Sequence, residues 1–173
     1  NVLAPEVRWD VRMRMTSVVR RALSELLAGP KSALGGAFEI ASGGREAELW
    51  ELACMISAPG AASQIIHADC DGAPNPPLLH TAFVALQPVS RELGPTRWLP
   101  HTHSDSDTHA AVNAHGDATI LRATDGISPP VSVVGLLDTG DASLYDGRIL
   151  HCGGANTAQA AAEEHVDDDD DAL

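Results

Sequence analysis

The feature that most constrains the fold is a change of hydrophobic period near residue 48. From there on, apolar residues alternate with polar ones in short runs, and Gly and Pro separate the runs. Clear examples are residues 48–57, 78–89 and 131–137. Period-two alternation is typical of strands that bury one face. Several short strands at this spacing predict an all-β barrel or sandwich.

One helix is predicted before this region. Residues 16–28 carry an apolar stripe with helical spacing, formed by Val19, Leu23, Leu26 and Leu27. Thr16 or Ser17 can cap the start of the helix, and Gly29-Pro30 is a stop signal. The Gly-rich residues 35–46 are predicted to be irregular.

Turn residues and composition assign the rest of the chain. Residues 64–69 are predicted to form a short strand, and residues 104–117 a polar loop. Residues 142–151 are predicted to form a hairpin-like pair bent at an Asp-Gly turn. We therefore expect a single domain over residues 1–158, with one helix packed outside it. The acidic segment 159–173 is low in complexity and is predicted to be disordered.

Charge and cysteine content exclude several classes of protein. The net charge of -13 owes much to seven acids after residue 162, and the chain has no Lys/Arg cluster, so nucleic-acid and membrane binding are not expected. The three cysteines show no CxxC spacing, which argues against a disulfide framework and favours a reducing, cytoplasmic location. The chain begins at Asn1, so a removed targeting segment stays an open alternative, as does the oligomeric state.

Residues 64–70, Gln-Ile-Ile-His-Ala-Asp-Cys, place an imidazole and a carboxylate in an otherwise apolar run. On a strand, His67 and Asp69 project to the same face, about 6.6–7 Å apart along the chain, so both can reach one metal ion. His151, followed by two glycines, is a candidate third ligand. Two His and one carboxylate suit non-haem Fe(II). A surface His beside a solvated Asp would explain the pair equally simply.

The order of motifs is more specific than the pair alone. The first motif is RWD at residues 8–10, and the second is the segment 51–69, which ends in His-x-Asp. The third is the segment 81–103, which contains Gly-Pro-Thr-Arg-x-x-Pro, and the fourth is the segment 140–158, which contains Gly-Asp and His-x-Gly-Gly-x-Asn. This series resembles the phytanoyl-CoA dioxygenase-like branch of the Fe(II)/2-oxoglutarate oxygenases. The resemblance implies a mainly β, double-stranded β-helix (a jelly-roll or cupin-like barrel) with a flanking helix, here lacking its last strand. It also implies His67, Asp69 and His151 as iron ligands.

The resemblance further implies a dioxygenase that uses Fe(II), 2-oxoglutarate and O2 to hydroxylate a small organic substrate. Gln64 and Thr81 occupy positions where relatives contact the cosubstrate. Relatives usually carry an Arg after the second His that pairs with the distal carboxylate of 2-oxoglutarate, whereas this chain has Ala160–Ala162 there. Arg97 or Arg122 would have to substitute. The alternative is a truncated or degenerate member, which would be a metal-binding β-barrel without catalysis.

A second group of histidines lies in residues 101–115. His101 and His103 would share a strand face and could bind zinc together with His109 or His115. The resemblance places His103 at a turn where His is common without being an iron ligand. The sequence therefore favours one metal site, at His67.

Overall fold

The computed structural model describes residues 7–28, 32–44, 46–70, 78–115 and 132–159, without the side chain of His115. The main elements in chain order are β1 (Arg8–Arg12), α1 (Ser17–Ala28), α2 (Ala33–Ser42), β2 (Ala53–Ser57), β3 (His80–Val84), β4 (Thr96–Trp98), α3 (Ser106–His115), β5 (Val133–Val134), β6 (Ala142–Asp146) and β7 (His151–Gly153). Short 3-10 turns at Arg91–Leu93 and Thr102–Ser104 flank β4. Nearly all of the acidic segment, Arg122 and the Gly29-Pro30 stop signal lie outside the described residues.

The strands form three small antiparallel sheets. β1 pairs with β2, and β3 pairs with β6 in a register that sets Thr81 opposite Tyr145. β4 lies between β5 and β7 and sets Trp98 opposite His151. The mainly β class is therefore confirmed. The described strands do not close into a barrel, so the double-stranded β-helix stays a prediction.

The hairpin-like pair predicted over residues 142–151 is wrong. β6 pairs with β3 while β7 pairs with β4, so the turn between them carries the chain from one sheet to another. Gly147 suits this turn because an added Cβ would lie 3.2 Å from both the carbonyl oxygen of Leu79 and the thiol of Cys70. As a result, Tyr145 and His151 face each other across the turn, with ring centroids 5.0 Å apart.

Two segments predicted as irregular are helices, so the prediction of one flanking helix is also wrong. α2 follows Ser32, whose hydroxyl accepts a hydrogen bond from the Gly35 N–H at 2.8 Å, and it ends at Gly43 in the left-handed conformation. α3 follows Asp105, whose carboxylate accepts from the Thr108 N–H at 3.0 Å. Caps of this kind satisfy N–H groups that a helix start leaves unpaired. α1 is confirmed, with Thr16 as its cap.

The hydrophobic core lies directly behind the two candidate ligand histidines. Its buried cluster is aliphatic and consists of Ile66, Leu99, Val112 and Leu150. Neighbouring residues of an extended segment point to opposite sides. Burial of Ile66 and Leu150 therefore directs His67 and His151 away from this cluster and toward each other. None of the helices in the described ranges combines the length and apolarity needed to cross a membrane.

Candidate metal centre

His67, Asp69 and His151 converge in space. One potential ligand atom from each lies within 4.8 Å of the others, and within the described residues this is the only such group of three or more. His151 is buried, His67 is intermediate and Asp69 is exposed, so the cluster is open on the Asp69 side. The convergence predicted from the sequence is therefore present.

The backbone sets the two histidines side by side. His67 and His151 form an antiparallel bridge in which each N–H donates to the other's carbonyl, at 2.9 and 2.8 Å, and their ring centroids are 4.5 Å apart. The strand predicted over residues 64–69 is reduced to this single bridge. Beyond it, the Asp69 N–H donates to the carbonyl of Gly147 at 2.8 Å. This bond keeps Asp69 beside the histidines although the segment is not a regular strand.

Each imidazole is oriented by a backbone carbonyl two residues earlier in the chain. The Nδ1 atom of His67 lies 2.8 Å from the Ile65 oxygen, and that of His151 lies 2.9 Å from the Ile149 oxygen. A neutral ring that donates from Nδ1 presents an unprotonated Nε2, which is the form that binds metals. The Nε2 atom of His151 lies 3.4 Å from Oδ1 of Asp69. This donor set fits a divalent transition-metal ion.

The Asp69 carboxylate is hydrogen-bonded on its other oxygen. Oδ2 accepts from the Thr81 hydroxyl at 2.9 Å and from the Tyr145 hydroxyl at 3.2 Å. Burial acts to raise the pKa of Asp69, but hydrogen bonding to His151, the charge that His151 carries when it is protonated, and the two hydroxyls lower the pKa below its usual value. Asp69 is therefore ionised at neutral pH and offsets part of the charge of a bound cation.

Tyr145 is the site residue that the sequence analysis missed. Its side chain is buried, and its hydroxyl oxygen lies 3.4 Å from Nε2 of His151 as well as near Asp69. Burial and the negative charge of Asp69 raise the pKa of Tyr145 far above its usual value, so the hydroxyl stays protonated and can donate. Alternation along β6 indicates a buried residue here, but only the pairing of β3 with β6 shows that it faces Thr81.

The sequence matches the profile of the phytanoyl-CoA dioxygenase (PhyH) family over residues 2–162, nearly its whole length. The chain belongs to the phytanoyl-CoA dioxygenase family. No curated protein sequence matches it. Membership in the PhyH family implies an oxygenase-type enzyme, and the His-Asp-His cluster gives this PhyH-family chain a possible iron site.

The residues predicted to contact the cosubstrate lie at or near this cluster and bind other protein groups. Thr81 donates to Asp69, and the side-chain oxygen of Gln64 accepts from the Gly153 N–H at 2.8 Å. Arg97 is exposed and precedes Trp98 on β4, so it points away from the face that carries Trp98 and His151. Arg122 and Ala160–Ala162 lie outside the described residues.

Arg8, in the RWD segment of the PhyH-family chain, approaches β7 from the first strand. Its Nη2 atom donates to the carbonyls of Gly154 at 2.6 Å and Ala62 at 3.2 Å. An added Cβ at Gly153 would lie 2.7 Å from Oε1 of Gln64 and 3.1 Å from Cζ of Arg8, so any larger residue would displace the guanidinium or the Gln64 amide. The Nε atom of Arg8 is buried and has no hydrogen-bond partner among the described residues.

A cavity of about 640 Å³ lies beside the cluster and includes His67 in its wall. The other lining residues are Ser63, Gln64, Ile65, Ile66, Val112 and Asn113. None of them is an Asp, Glu, Lys or Arg, and three are aliphatic. The cavity is open to solvent and has a volume within the range of small-molecule sites, and His67 is the one member of the cluster that lines it.

The second histidine group does not form a metal site in the part of the chain that the structure describes. Nε2 of His109 lies 3.0 Å from the carbonyl oxygen of Thr102, and His101 adopts the left-handed conformation before the second 3-10 turn. The side chain of His115 is outside the described atoms.

Proposed function

We propose that this PhyH-family protein is a non-haem Fe(II)/2-oxoglutarate-dependent dioxygenase that hydroxylates a small organic substrate. The observation that carries the proposal is the approach of two imidazole nitrogens and one carboxylate oxygen to within 4.8 Å of one another. His67, Asp69 and His151 would hold the ion. Such a set leaves coordination positions open for a cosubstrate and O2.

The proposed fold is the double-stranded β-helix. Its support is the way in which the β3–β6 and β5–β4–β7 sheets meet at aromatic rings. Tyr145 of the first sheet packs on Trp98 of the second with ring centroids 5.6 Å apart. His151 belongs to the second sheet, and Asp69 contacts Thr81 and Tyr145 of the first, so the proposed ligands would be partly shielded from water.

An iron ion held by His67, Asp69 and His151 would supply O2 activation, with 2-oxoglutarate as the two-electron reductant: one oxygen atom would enter the hydroxylated substrate and the other the succinate, with release of CO2. The protein's own groups perform simpler tasks. His67 and His151 present Nε2 because backbone carbonyls fix Nδ1. Asp69 offsets one positive charge, and the cavity at His67 is suited to a substrate of low charge because no ionic side chain lines it.

For the cosubstrate, we propose contact with Gln64 through its amide NH2, because the amide oxygen already accepts from Gly153. Thr81 donates its single hydroxyl proton to the Asp69 carboxylate. It would therefore act on the cosubstrate indirectly, by orienting Asp69 beside it. Thr81 adjoins the open side of the cluster at Asp69, whereas Gln64 lies at the other end of the His67–His151 bridge, against Gly153.

A second candidate is a metal-binding β-barrel that lacks catalysis. It is favoured by the positions of two arginine side chains. Arg97 points away from the cluster, and Nη2 of Arg8 already donates to two backbone carbonyls. A distal carboxylate would then lack the bidentate guanidinium that stabilises such groups best.

Anaerobic Fe(II) titration followed by a succinate assay over micromolar to millimolar 2-oxoglutarate separates the candidates. We expect stoichiometric Fe(II) binding and succinate formation that needs millimolar 2-oxoglutarate. His67→Ala should lose both signals, while His103→Ala, a matched change at an exposed His outside the cluster, should keep both. Binding of Fe(II) without succinate at any concentration would favour the second candidate. Absence of metal binding would refute both.

A further inference from the structure

The two oxygens of Asp69 have different surroundings. Oδ2 accepts two hydroxyl hydrogen bonds, from Thr81 at 2.9 Å and Tyr145 at 3.2 Å. Oδ1 instead faces Nε2 of His151 at 3.4 Å. Because two donors already occupy Oδ2, Oδ1 is the oxygen that remains for a metal ion.

Strand register produces this arrangement. Thr81 and Tyr145 are directly opposite each other in the β3–β6 pair, so their side chains lie on the same face of that sheet. Tyr145 is fixed further by Phe83 and Trp98, whose ring centroids lie 5.8 and 5.6 Å from its own. A phenol held on several sides presents its hydroxyl in one direction.

We propose that Thr81 and Tyr145, the hydroxyl pair, position Asp69 so that it binds the metal through Oδ1 alone. The proposal rests on the proposed metal site and adds two positioning residues to it. A carboxylate that binds through one oxygen leaves one more coordination position open than a carboxylate that binds through two. The hydroxyl pair would thereby keep room for the cosubstrate and O2.

Metal affinity tests the proposal without any turnover. Removing outer hydrogen-bond partners of metal ligands typically costs 10- to 100-fold in affinity. In Mn(II) titrations we expect about a tenfold loss for Tyr145→Phe and for Thr81→Val, and about 100-fold for the double variant. Thr81→Ser, which keeps the hydroxyl, should restore an affinity close to that of the wild type.

Ser143→Ala is the matched control. Ser143 lies two residues before Tyr145 on β6, and its buried hydroxyl has no hydrogen-bond partner among the described residues. It should keep wild-type Mn(II) affinity. Equal losses in Ser143→Ala and Tyr145→Phe would show that any hydroxyl deletion on β6 disturbs the site, and this would overturn the proposal.

A spectroscopic test uses the unmutated chain, so it does not depend on how variants fold. Tyr145 is the only tyrosine, so 3-fluorotyrosine labelling gives one 19F resonance. Zn(II) saturation should shift this resonance. A resonance that does not move would overturn the positioning role of the hydroxyl pair. Unchanged Mn(II) affinity in all hydroxyl-pair variants would do the same. Either result leaves the proposed function standing as long as the wild type binds metal.

Two further outcomes are decisive. A visible phenolate charge-transfer band on Fe(III) loading would show that Tyr145 is itself a ligand, which contradicts a positioning role. A wild-type chain that binds no divalent ion would overturn the proposed function and this inference together.

Discussion

Gly153→Ala should destabilise the protein because the space for a methyl group is already occupied. The new Cβ would lie 2.7 Å from Oε1 of Gln64, closer than such atoms approach in folded proteins, and 3.1 Å from Cζ of Arg8, which is a very tight contact, with Nη1 of Arg8 closer still. The guanidinium must therefore move. Its displacement breaks the Nη2 bonds to the carbonyls of Gly154 at 2.6 Å and Ala62 at 3.2 Å.

The magnitude follows from those bonds. Hydrogen bonds from a charged group contribute about 1.5–3 kcal/mol each, so two bonds set an upper limit of about 6 kcal/mol. The bond to Ala62 is exposed, and water replaces much of it. The bond to Gly154 is partly buried and is replaced less well. We expect a loss of about 3 kcal/mol in the free energy of unfolding, or about 6–12 °C in Tm for a chain of this length.

A double-mutant cycle with Arg8→Ala, measured by urea denaturation, isolates the cause. In the Arg8→Ala background, Gly153→Ala should cost only about 1 kcal/mol, because the clash with Gln64 remains and the guanidinium is gone. Gly36→Ala is the matched control, since a Cβ there meets nothing within 4 Å and Ala favours the helix α2. An equal cost of Gly153→Ala in both backgrounds would refute the reasoning.

Three other predictions concern the metal, the cosubstrate and pH. His67→Ala should abolish Fe(II), Mn(II) or Co(II) binding in calorimetry, because two ligands retain a labile ion poorly; an unchanged affinity contradicts the metal site. 2-Oxoglutarate should bind this chain about 100- to 1,000-fold more weakly than a chain whose Arg pairs with the distal carboxylate, because an unpaired buried carboxylate costs several kcal/mol. Micromolar affinity in calorimetry would show that another basic residue pairs with the carboxylate. The hydrogen bond from Arg148 lowers the pKa of Asp146 to about 2, so this group stabilises the fold above about pH 4 and loses that effect as pH falls toward 2. Asp146→Asn should cost about 1 kcal/mol at pH 7 after solvent screening, and the difference from the wild type in thermal unfolding should shrink steadily between pH 4 and pH 2, where about half of the carboxyl is protonated.

The proposed ligands His67 and Asp69 were accessible to sequence analysis because their relation depends on local spacing. His67 and Asp69 are two residues apart, and that spacing puts both on one side of an extended segment even where the regular strand is absent. Tyr145 and Arg8 were not accessible in this way. Their roles depend on which strand lies beside which, and alternation reveals that a segment is a strand without revealing its partner.

The helices show a related limit. α1 has a strong apolar stripe and was predicted correctly. α2 contains Gly35 and Gly36, which lower helix propensity, yet an added Cβ at Gly35 would lie 2.7 Å from the Leu27 carbonyl carbon. There, close packing of two helices outweighs propensity. In α3 the apolar periodicity is weak, and the cap at Asp105 was the better signal.

The contacts around β7 join parts of the chain that are synthesised far apart in time. Gln64 bonds Gly153 across 89 residues, Tyr145 bonds Asp69 across 76, and Arg8 bonds Gly154 across 146. Contacts of such long range slow folding because large loops must close before any of them forms. On the ribosome, His67 and Asp69 cannot meet His151 until the whole segment between Asp69 and His151 has been synthesised. If the proposed iron site forms, metal uptake during refolding should coincide with the slowest folding phase, and a half-folded chain would hold no redox-active iron.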